Sequence, residues 1–107
     1  MHQARVRLPR SARPGEVVEV RTLVEHPMET GLRTDGGGQV VPRGMLSRLV
    51  VRMNGEQVFA ADLRNGTSAN PYHVFFVRIE RSSDFEFVWT DEAGRVAARA
   101  SARVSAG

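Results

Sequence analysis

The side chains best suited to ligand binding or catalysis lie in one segment, residues 25–44. It reads EHPMETGLRTDGGGQVVPRG and stands between two apolar, alternating stretches. Within it, His26 and Met28 form a His-x-Met pair, and imidazole and thioether ligands together suit copper. The chain has only three histidines, however, and His2 lies near the terminus. The pattern therefore favours a hydrogen-bonded structural role for His26, and we predict no metal site and no cofactor.

Other catalytic arrangements lack the residues that they need. The chain has no cysteine, and its serines stand outside the G-x-S-x-G context of an activated nucleophile. The acidic residues share no spacing that would bring two carboxylates together for acid–base work. Gly36-Gly37-Gly38 is followed by no helix, so it predicts a flexible hairpin tip and not a phosphate cradle. We therefore predict that the chain is not an enzyme.

The chain length indicates one small domain over residues 1–107. No apolar run approaches the roughly 20 residues that span a membrane, and the arginines near the N-terminus are not followed by the apolar stretch of a signal peptide. All 15 basic residues are arginine, they are scattered, and the net charge is only +3, which does not indicate a nucleic-acid partner. We expect neither nucleic acid nor membrane as a partner, and the chain's own sequence indicates a cytosolic protein.

The elements that must position these residues are strands. Apolar and polar side chains alternate along most of the chain, as on strands that bury one face, and turn sequences such as RPGE at 13–16 and DEAG at 91–94 separate the runs. The predicted fold class is an all-β, immunoglobulin-like antiparallel β-sandwich of about seven strands, with Trp89 in the core and residues 25–44 as a long loop. The predicted strands are residues 4–8, 16–24, 46–53, 56–63, 73–80, 84–90 and 95–104.

The turn sequence MNGE at residues 53–56 permits a prediction of register. A slip of one residue moves every side chain of a strand to the opposite face. A three-residue loop with a bulge at Gly55 places Leu49 and Val51 on the same face as Phe59, whereas a two-residue loop separates them. We therefore favour the three-residue loop.

The same register predicts an outer apolar surface. Val50 and Val58 would face outward, and Val74 and Phe76 would add to them. Grouped, exposed apolar side chains are hard to explain on a lone monomer. We therefore expect this surface to form a contact, and the isolated chain to self-associate as a homo-oligomer.

Four blocks of residues resemble a known family. They are HPMETGLR at 26–33, NGE at 54–56, NPY at 70–72 and VWTDEAGR at 88–95. Together and in this order they look like SoxZ, the small subunit of the SoxYZ carrier complex of bacterial thiosulfate oxidation. The resemblance covers roughly residues 5–104, and the first block is the most specific of the four.

The resemblance implies a fold, a function and a partner. The family fold is an immunoglobulin-like sandwich, and the family is not catalytic. SoxZ pairs with SoxY, as a heterodimer or a higher assembly. SoxY carries sulfur intermediates on a cysteine near its C-terminus and presents them to the other Sox enzymes. A chain without cysteine would be the scaffold half of this carrier. SoxZ proteins reach the periplasm by co-export with SoxY, which would reconcile a periplasmic location with the missing signal peptide.

The resemblance also directs attention to the long loop as a partner-binding element. Pro27 biases His26 toward extended backbone, Gly31 can supply a turn with positive φ, and Glu29 and Arg33 could pair or bind partner charges. We expect residues 25–33 to be ordered and the glycine tip at 36–38 to be mobile. The partner-binding residues predicted in this way are His26, Pro27, Met28, Glu29, Arg33, Asn70 and Tyr72.

One alternative stays open at this stage. The chain could be a stand-alone periplasmic domain that binds a metal or a small ligand through His26 and Met28. A neighbouring reading frame for a SoxY-like protein would favour the carrier, and a copper titration would favour the binding domain. The fold alone does not choose between them, since sandwiches host many functions.

Overall fold

The computed structural model describes residues 2–64 and 67–107, and these residues form eight strands. Buried and exposed positions alternate along the long strands, as expected for strands that cover one face of a core. The described residues contain no helix that could cross a membrane. The strands are β1 (Ala4–Arg7), β2 (Ser11–Ala12), β3 (Glu16–Val24), β4 (Leu46–Met53), β5 (Glu56–Asp62), β6 (Tyr72–Ile79), β7 (Ser83–Asp91) and β8 (Val96–Ala106).

The strands form two sheets. The three-stranded sheet has the order β1-β3-β6, and the five-stranded sheet has the order β2-β8-β7-β4-β5. Neighbouring strands are antiparallel, except that β2 runs parallel to β8. The inner faces share one apolar core, in which Trp89 is fully buried. This confirms the predicted all-β, immunoglobulin-like sandwich.

The predicted strands match the observed ones to within two residues at each end, but one strand was missed. Strand β2 has two residues, which is too short to show alternation, and it lies between Pro9 and Pro14. It pairs with only the last two residues of β8, at Ser105 and Ala106. The strand count among the described residues is therefore eight and not seven, and β8 lies at a sheet edge over most of its length, as predicted.

The β4–β5 hairpin confirms the predicted faces but not the predicted turn. Val51 pairs directly with Phe59, so both share a face. The turn itself is a two-residue Asn54-Gly55 loop with φ values of 53° and 85°, as in the turns that best fit the twist of a hairpin. The register shift falls beyond the turn, where β5 accommodates Val58 as an extra residue. The prediction of a bulge at Gly55 is therefore wrong.

The predicted outer apolar surface is divided between the two sheets. Val74 and Phe76 are exposed on β6, in the three-stranded sheet. Val50 and Val58 are half-buried in the five-stranded sheet, and Val58 packs against the core. The four side chains therefore do not form one contact surface, because they belong to different layers of the sandwich.

Candidate functional site

Residues 25–44 form a hydrogen-bonded hairpin and not a structureless loop. Glu29 and Gly44 each donate an N–H to the other's carbonyl at 2.9 Å, and further out the N–H of Val41 donates to the carbonyl of Arg33 at 2.8 Å. We call residues 29–44 the arm. Most of the arm is exposed, and Leu32 is exposed by 87%. The arm is therefore an element held by its own backbone hydrogen bonds.

The tip of the arm is closed by Asp35. Its Oδ1 accepts hydrogen bonds from the N–H groups of Gly37 at 2.8 Å and Gln39 at 3.0 Å, in the way that Asp side chains mimic a backbone turn. The N–H of Asp35 donates to the carbonyl of Gln39 at 2.8 Å. The tip thus has a defined turn, and its mobility stays a prediction.

The base of the arm is tied to the turn between β7 and β8. Arg43 donates from Nε and Nη2 to the two carboxylate oxygens of Glu92, both at 2.8 Å, and from Nη1 to the carbonyl of Thr30 at 3.0 Å. This two-pronged contact fixes the orientation of the guanidinium, and hydrogen bonding from Arg43 lowers the pKa of the Glu92 carboxyl. Gly31 has φ +85°, and a Cβ there would lie 3.1 Å from the Cβ of Arg43. The predicted positive φ at Gly31 is therefore confirmed, in a place where space is also short.

Glu29 and Arg33 pair on the exposed side of the arm, which is one of the two roles that the sequence suggested. Arg33 donates from Nη2 at 2.6 Å and from Nε at 3.2 Å to the two carboxylate oxygens of Glu29. The hydrogen bond from Arg33 lowers the pKa of the Glu29 carboxyl. Both charges are thus compensated within the chain.

His26 and Asn70 join two motifs that are far apart in the sequence. The N–H of His26 donates to Oδ1 of Asn70 at 3.0 Å, and the N–H of Asn70 donates to the carbonyl of His26 at 2.8 Å. Asn70 has φ 53°, a left-handed conformation that Asn tolerates better than most residues. The next residue, Pro71, accepts a hydrogen bond from the N–H of Val24 at 3.2 Å. These hydrogen bonds therefore join the end of β3 to the start of β6, next to the residues that lead into the arm.

The imidazole of His26 is buried and has a structural hydrogen bond. Its Nδ1 accepts from the N–H of Met28 at 3.0 Å, which assigns the ring proton to Nε2 in the neutral ring. Burial lowers the pKa of His26, the nearby His2 lowers it further, and Asp91 acts in the opposite direction. The rings of His2 and His26 lie 4.3 Å apart, centre to centre. The hydrogen-bonded structural role predicted for His26 is confirmed.

Met28 turns the chain inward at the root of the arm. It has φ 52°, its side chain is only 5% exposed, and its sulfur accepts from the N–H of Leu46 at 3.5 Å. The side chain of Met28, which the sequence analysis predicted to bind a partner, therefore packs into this chain's own core. Partner binding by His26 and Met28 stays a prediction, and with both side chains buried it would act through the conformation that they give to the loop.

The other two predicted site residues lie on the surface. Pro27 is exposed between the buried His26 and Met28. Tyr72 is exposed on the outer face of β6, where Glu19 and, more weakly, Tyr72 raise the pKa of Arg21. The structure thus unites His26, Met28 and Asn70, pairs Glu29 with Arg33, and places Tyr72 on a different surface.

Three arginines on the outer face of the three-stranded sheet are functional candidates that sequence reasoning missed. A groove of about 390 Å³ there is lined by Tyr72 and three arginines, Arg5, Arg7 and Arg21. Val17 is exposed on the same face. Alternation along β1 and β3 could have placed each residue outward, but only the pairing of β1 with β3 brings the arginines together.

The described residues include no group of three or more His, Cys, Asp or Glu side chains that could hold a metal ion. Two of the candidate donor atoms for copper, Nδ1 of His26 and the sulfur of Met28, already accept backbone hydrogen bonds. The arm and the outer face of the three-stranded sheet are therefore suited to non-covalent binding through shape, hydrogen bonds and charge.

Comparison with solved structures shows the fold. SoxY, the sulfur carrier protein from Chlorobium limicola f thiosulfatophilum, aligns with a TM-score of 0.67 at 15% identity, over 97% of this chain and 78% of SoxY. A superoxide reductase (neelaredoxin) from Ignicoccus hospitalis aligns with a TM-score of 0.73 at 11% identity, over 99% and 81% of the two chains. A putative superoxide reductase from Thermotoga maritima gives 0.68 at 13% identity, over 97% and 85%. At these identities the likeness is one of architecture.

Comparison with sequences shows the family. No curated protein sequence gave a significant match. The model of the family described as sulphur oxidation protein SoxZ matches residues 6–102, which is nearly the whole chain and includes the four blocks that carry the resemblance. The chain therefore belongs to the SoxZ family of sulphur oxidation proteins.

Proposed function

We propose that this chain is the non-catalytic scaffold subunit of a SoxYZ-type carrier, in which a SoxY-like partner holds the sulfur intermediates of thiosulfate oxidation on its own cysteine. The observation that carries the proposal is the SoxZ family match over residues 6–102 in a chain without cysteine. Covalent carriage of sulfur needs a thiolate, which this chain cannot supply. The chain's part is then to bind and position the partner.

The geometry supports a binding subunit. The arm is braced at its base by Arg43 and Glu92 and at its tip by Asp35, and a braced element loses little conformational freedom when it binds. A stand-alone metal binder is less well supported, because Nδ1 of His26 and the sulfur of Met28 lie buried and hydrogen-bonded and the described residues include no group of three or more His, Cys, Asp or Glu side chains that could hold a metal ion. We retain the carrier as the function.

Co-expression with the SoxY-like protein of the same organism tests the proposal. With an affinity tag on one chain only, we expect the two to co-purify and to elute together in size-exclusion chromatography. The isolated chain should consume no thiosulfate. Failure to co-purify, or turnover of thiosulfate by the isolated chain, would contradict the scaffold role.

The proposed location is the periplasm, reached by export together with the SoxY-like partner. Fractionation of cells that express this chain with the complete SoxY-like protein, or with that protein lacking its signal peptide, tests this step. We expect the chain in the periplasmic fraction only in the first case. Equal periplasmic amounts in both cases would show export independent of the partner.

A further inference from the structure

The two outer faces of the sandwich differ in chemistry. On the five-stranded sheet, opposite charges face each other and pair, as in Arg48–Asp62 at 3.2 Å and Arg103–Asp84 at 2.9 Å. That is the expected composition of a strand face in contact with water. The outer face of the three-stranded sheet instead exposes four of the large apolar residues of the described chain, which are Val17, Tyr72, Val74 and Phe76.

The apolar side chains form a row at the edge of the sheet. Tyr72, Val74 and Phe76 alternate along β6 and therefore project to one side, and Phe76 is 66% exposed. β6 is the last strand of the three-stranded sheet, so no strand in the described part of the chain pairs with its outer backbone edge. An unprotected edge beside exposed apolar side chains is a liability in a monomer, and it is suited to a protein contact.

Positive charge lies on the other two strands of this sheet, next to this row: Arg21 of β3 is paired with Val74 of β6. Arg7 of β1 is paired with Arg21 of β3, and like charges in directly opposed positions destabilise a sheet. Arg21 is engaged by Glu19, and Arg5 lies 3.6 Å from Glu25. Among the described residues Arg7 has no carboxylate partner. The face thus carries an uncompensated cation that a partner carboxylate would satisfy.

This charge selects the occupant. In a symmetric dimer both copies contribute the same patch. The carboxylates described on this face, Glu19, Glu25 and Glu80, are already paired with arginines of their own chain, so a second copy would bring no unpaired carboxylate to Arg7. A surface that is apolar opposite β6 and acidic opposite β1 is complementary. We propose that the outer face of the three-stranded sheet is the docking surface for the SoxY-like partner, which contacts Val74 and Phe76 through apolar side chains and Arg7 through a carboxylate. This inference rests on the proposed function.

The residue types agree with this assignment. Aromatic residues and arginine are enriched among the side chains that contribute most to protein–protein affinity, and here Tyr72, Phe76 and Arg7 lie on one face. In the arm, by contrast, Glu29 and Arg33 satisfy each other, and two large apolar residues are exposed, Leu32 and Val40, against four on the sheet face. The sheet face, and not the arm, then supplies the main contact.

Isothermal titration against the purified SoxY-like protein of the same organism tests the inference. The variants are Val74→Thr/Phe76→Thr, which keeps strand-forming residues on β6, and Arg7→Glu. The matched controls on the other outer face are Val50→Thr on β4 and Arg99→Glu on β8. We expect the double variant to weaken binding at least tenfold, and Arg7→Glu about tenfold at low salt and less at high salt. The controls should stay within about twofold, with unfolding midpoints recorded for every variant.

The outcomes separate this inference from the proposed function. If the wild-type chain does not bind, both are overturned. If it binds and the sheet-face variants bind equally well, only the docking surface is overturned. If sedimentation shows that the isolated chain is a dimer which Val74→Thr/Phe76→Thr dissociates and which the SoxY-like protein does not displace, a second copy is the occupant, and the acidic partner surface is overturned.

Discussion

At the residue scale, the site depends on side chains that hold backbone in unusual conformations. Met28 and Asn70 both have positive φ, and each is hydrogen-bonded to the segment around His26. The sequence predicted that His26 is structural and that Glu29 and Arg33 could pair, because those inferences need only local spacing. It did not predict that Met28 is buried or that Asn70 binds His26, since both depend on contacts between distant segments.

Replacement of Asn70 should loosen this junction. Asn70→Ala removes the acceptor of the His26 N–H and places a residue with a larger left-handed penalty at φ 53°, which together should cost about 2 kcal/mol of unfolding free energy. Urea unfolding measures the change, with the exposed Ser68→Ala as the control. An Asn70→Ala midpoint equal to that of the control would show that the junction contributes nothing to stability.

Protonation of two histidines leads to a pH prediction. Burial lowers the pKa of both His26 and His73 below the usual 6.5. Since the folded-state pKa is the lower one, the unfolded chain takes up these protons first as the pH falls. The unfolding free energy should therefore be unaffected by these groups above about pH 6.5 and should decrease below it, by up to about 1.4 kcal/mol per pH unit for each histidine.

Urea unfolding between pH 8 and pH 5.5 measures this slope. The carboxyls of Glu29 and Glu92, whose pKa values are lowered in the folded chain, affect the unfolding free energy only at lower pH. His73→Phe is the informative variant, because Nδ1 of His73 is buried without a hydrogen-bond partner and its ring lies near Phe59. We expect a smaller slope in this variant. A slope identical to that of the wild type would exclude His73 as a contributor.

At the element scale, the strands were predictable and the arm was not. Period-two alternation located the seven longer strands, because each buries one face against the same core. Strand β2 is too short to alternate, and the bulge at Val58 left no distinct signal. The arm was read as a loop because its side chains show no strand period. Its order comes from backbone hydrogen bonds and from Asp35 and Arg43.

The tip of the arm should open without unfolding of the sandwich. Asp35→Ala removes the acceptor for the N–H groups of Gly37 and Gln39, and the tip does not contribute to the core cluster. Hydrogen exchange should become faster at these two amides, while the urea midpoint stays unchanged within about 0.5 kcal/mol. Exposed Asp62→Ala serves as the control. Unchanged exchange at Gly37 and Gln39 would show that the Asp35 carboxylate does not hold the turn.

At the scale of the whole molecule, the chain is elongated, with extents of 58 × 21 × 21 Å and a radius of gyration of 16.1 Å. A compact chain of this length would have a radius of gyration of about 13 Å. An elongated sandwich has much surface for its core, and it presents both an arm and an apolar sheet face to solvent. The fold class, the family resemblance and the outward positions of Val74 and Phe76 came from the sequence, whereas the arginines beside them emerged only once β1, β3 and β6 were seen side by side.

Binding of the partner should therefore raise the stability of this chain by mass action. A ligand that binds only the folded chain, at 100 times its dissociation constant, adds about 2.7 kcal/mol, which corresponds to an increase in Tm of roughly 10 °C or more for about 100 residues. Differential scanning calorimetry of the chain with and without the SoxY-like protein measures this shift. Because Val74 and Phe76 are exposed, the Val74→Thr/Phe76→Thr chain alone should melt near the wild-type temperature but lose most of the increase, whereas Val50→Thr should retain it. An increase of equal size in both variants would place the stabilising contact elsewhere on the molecule.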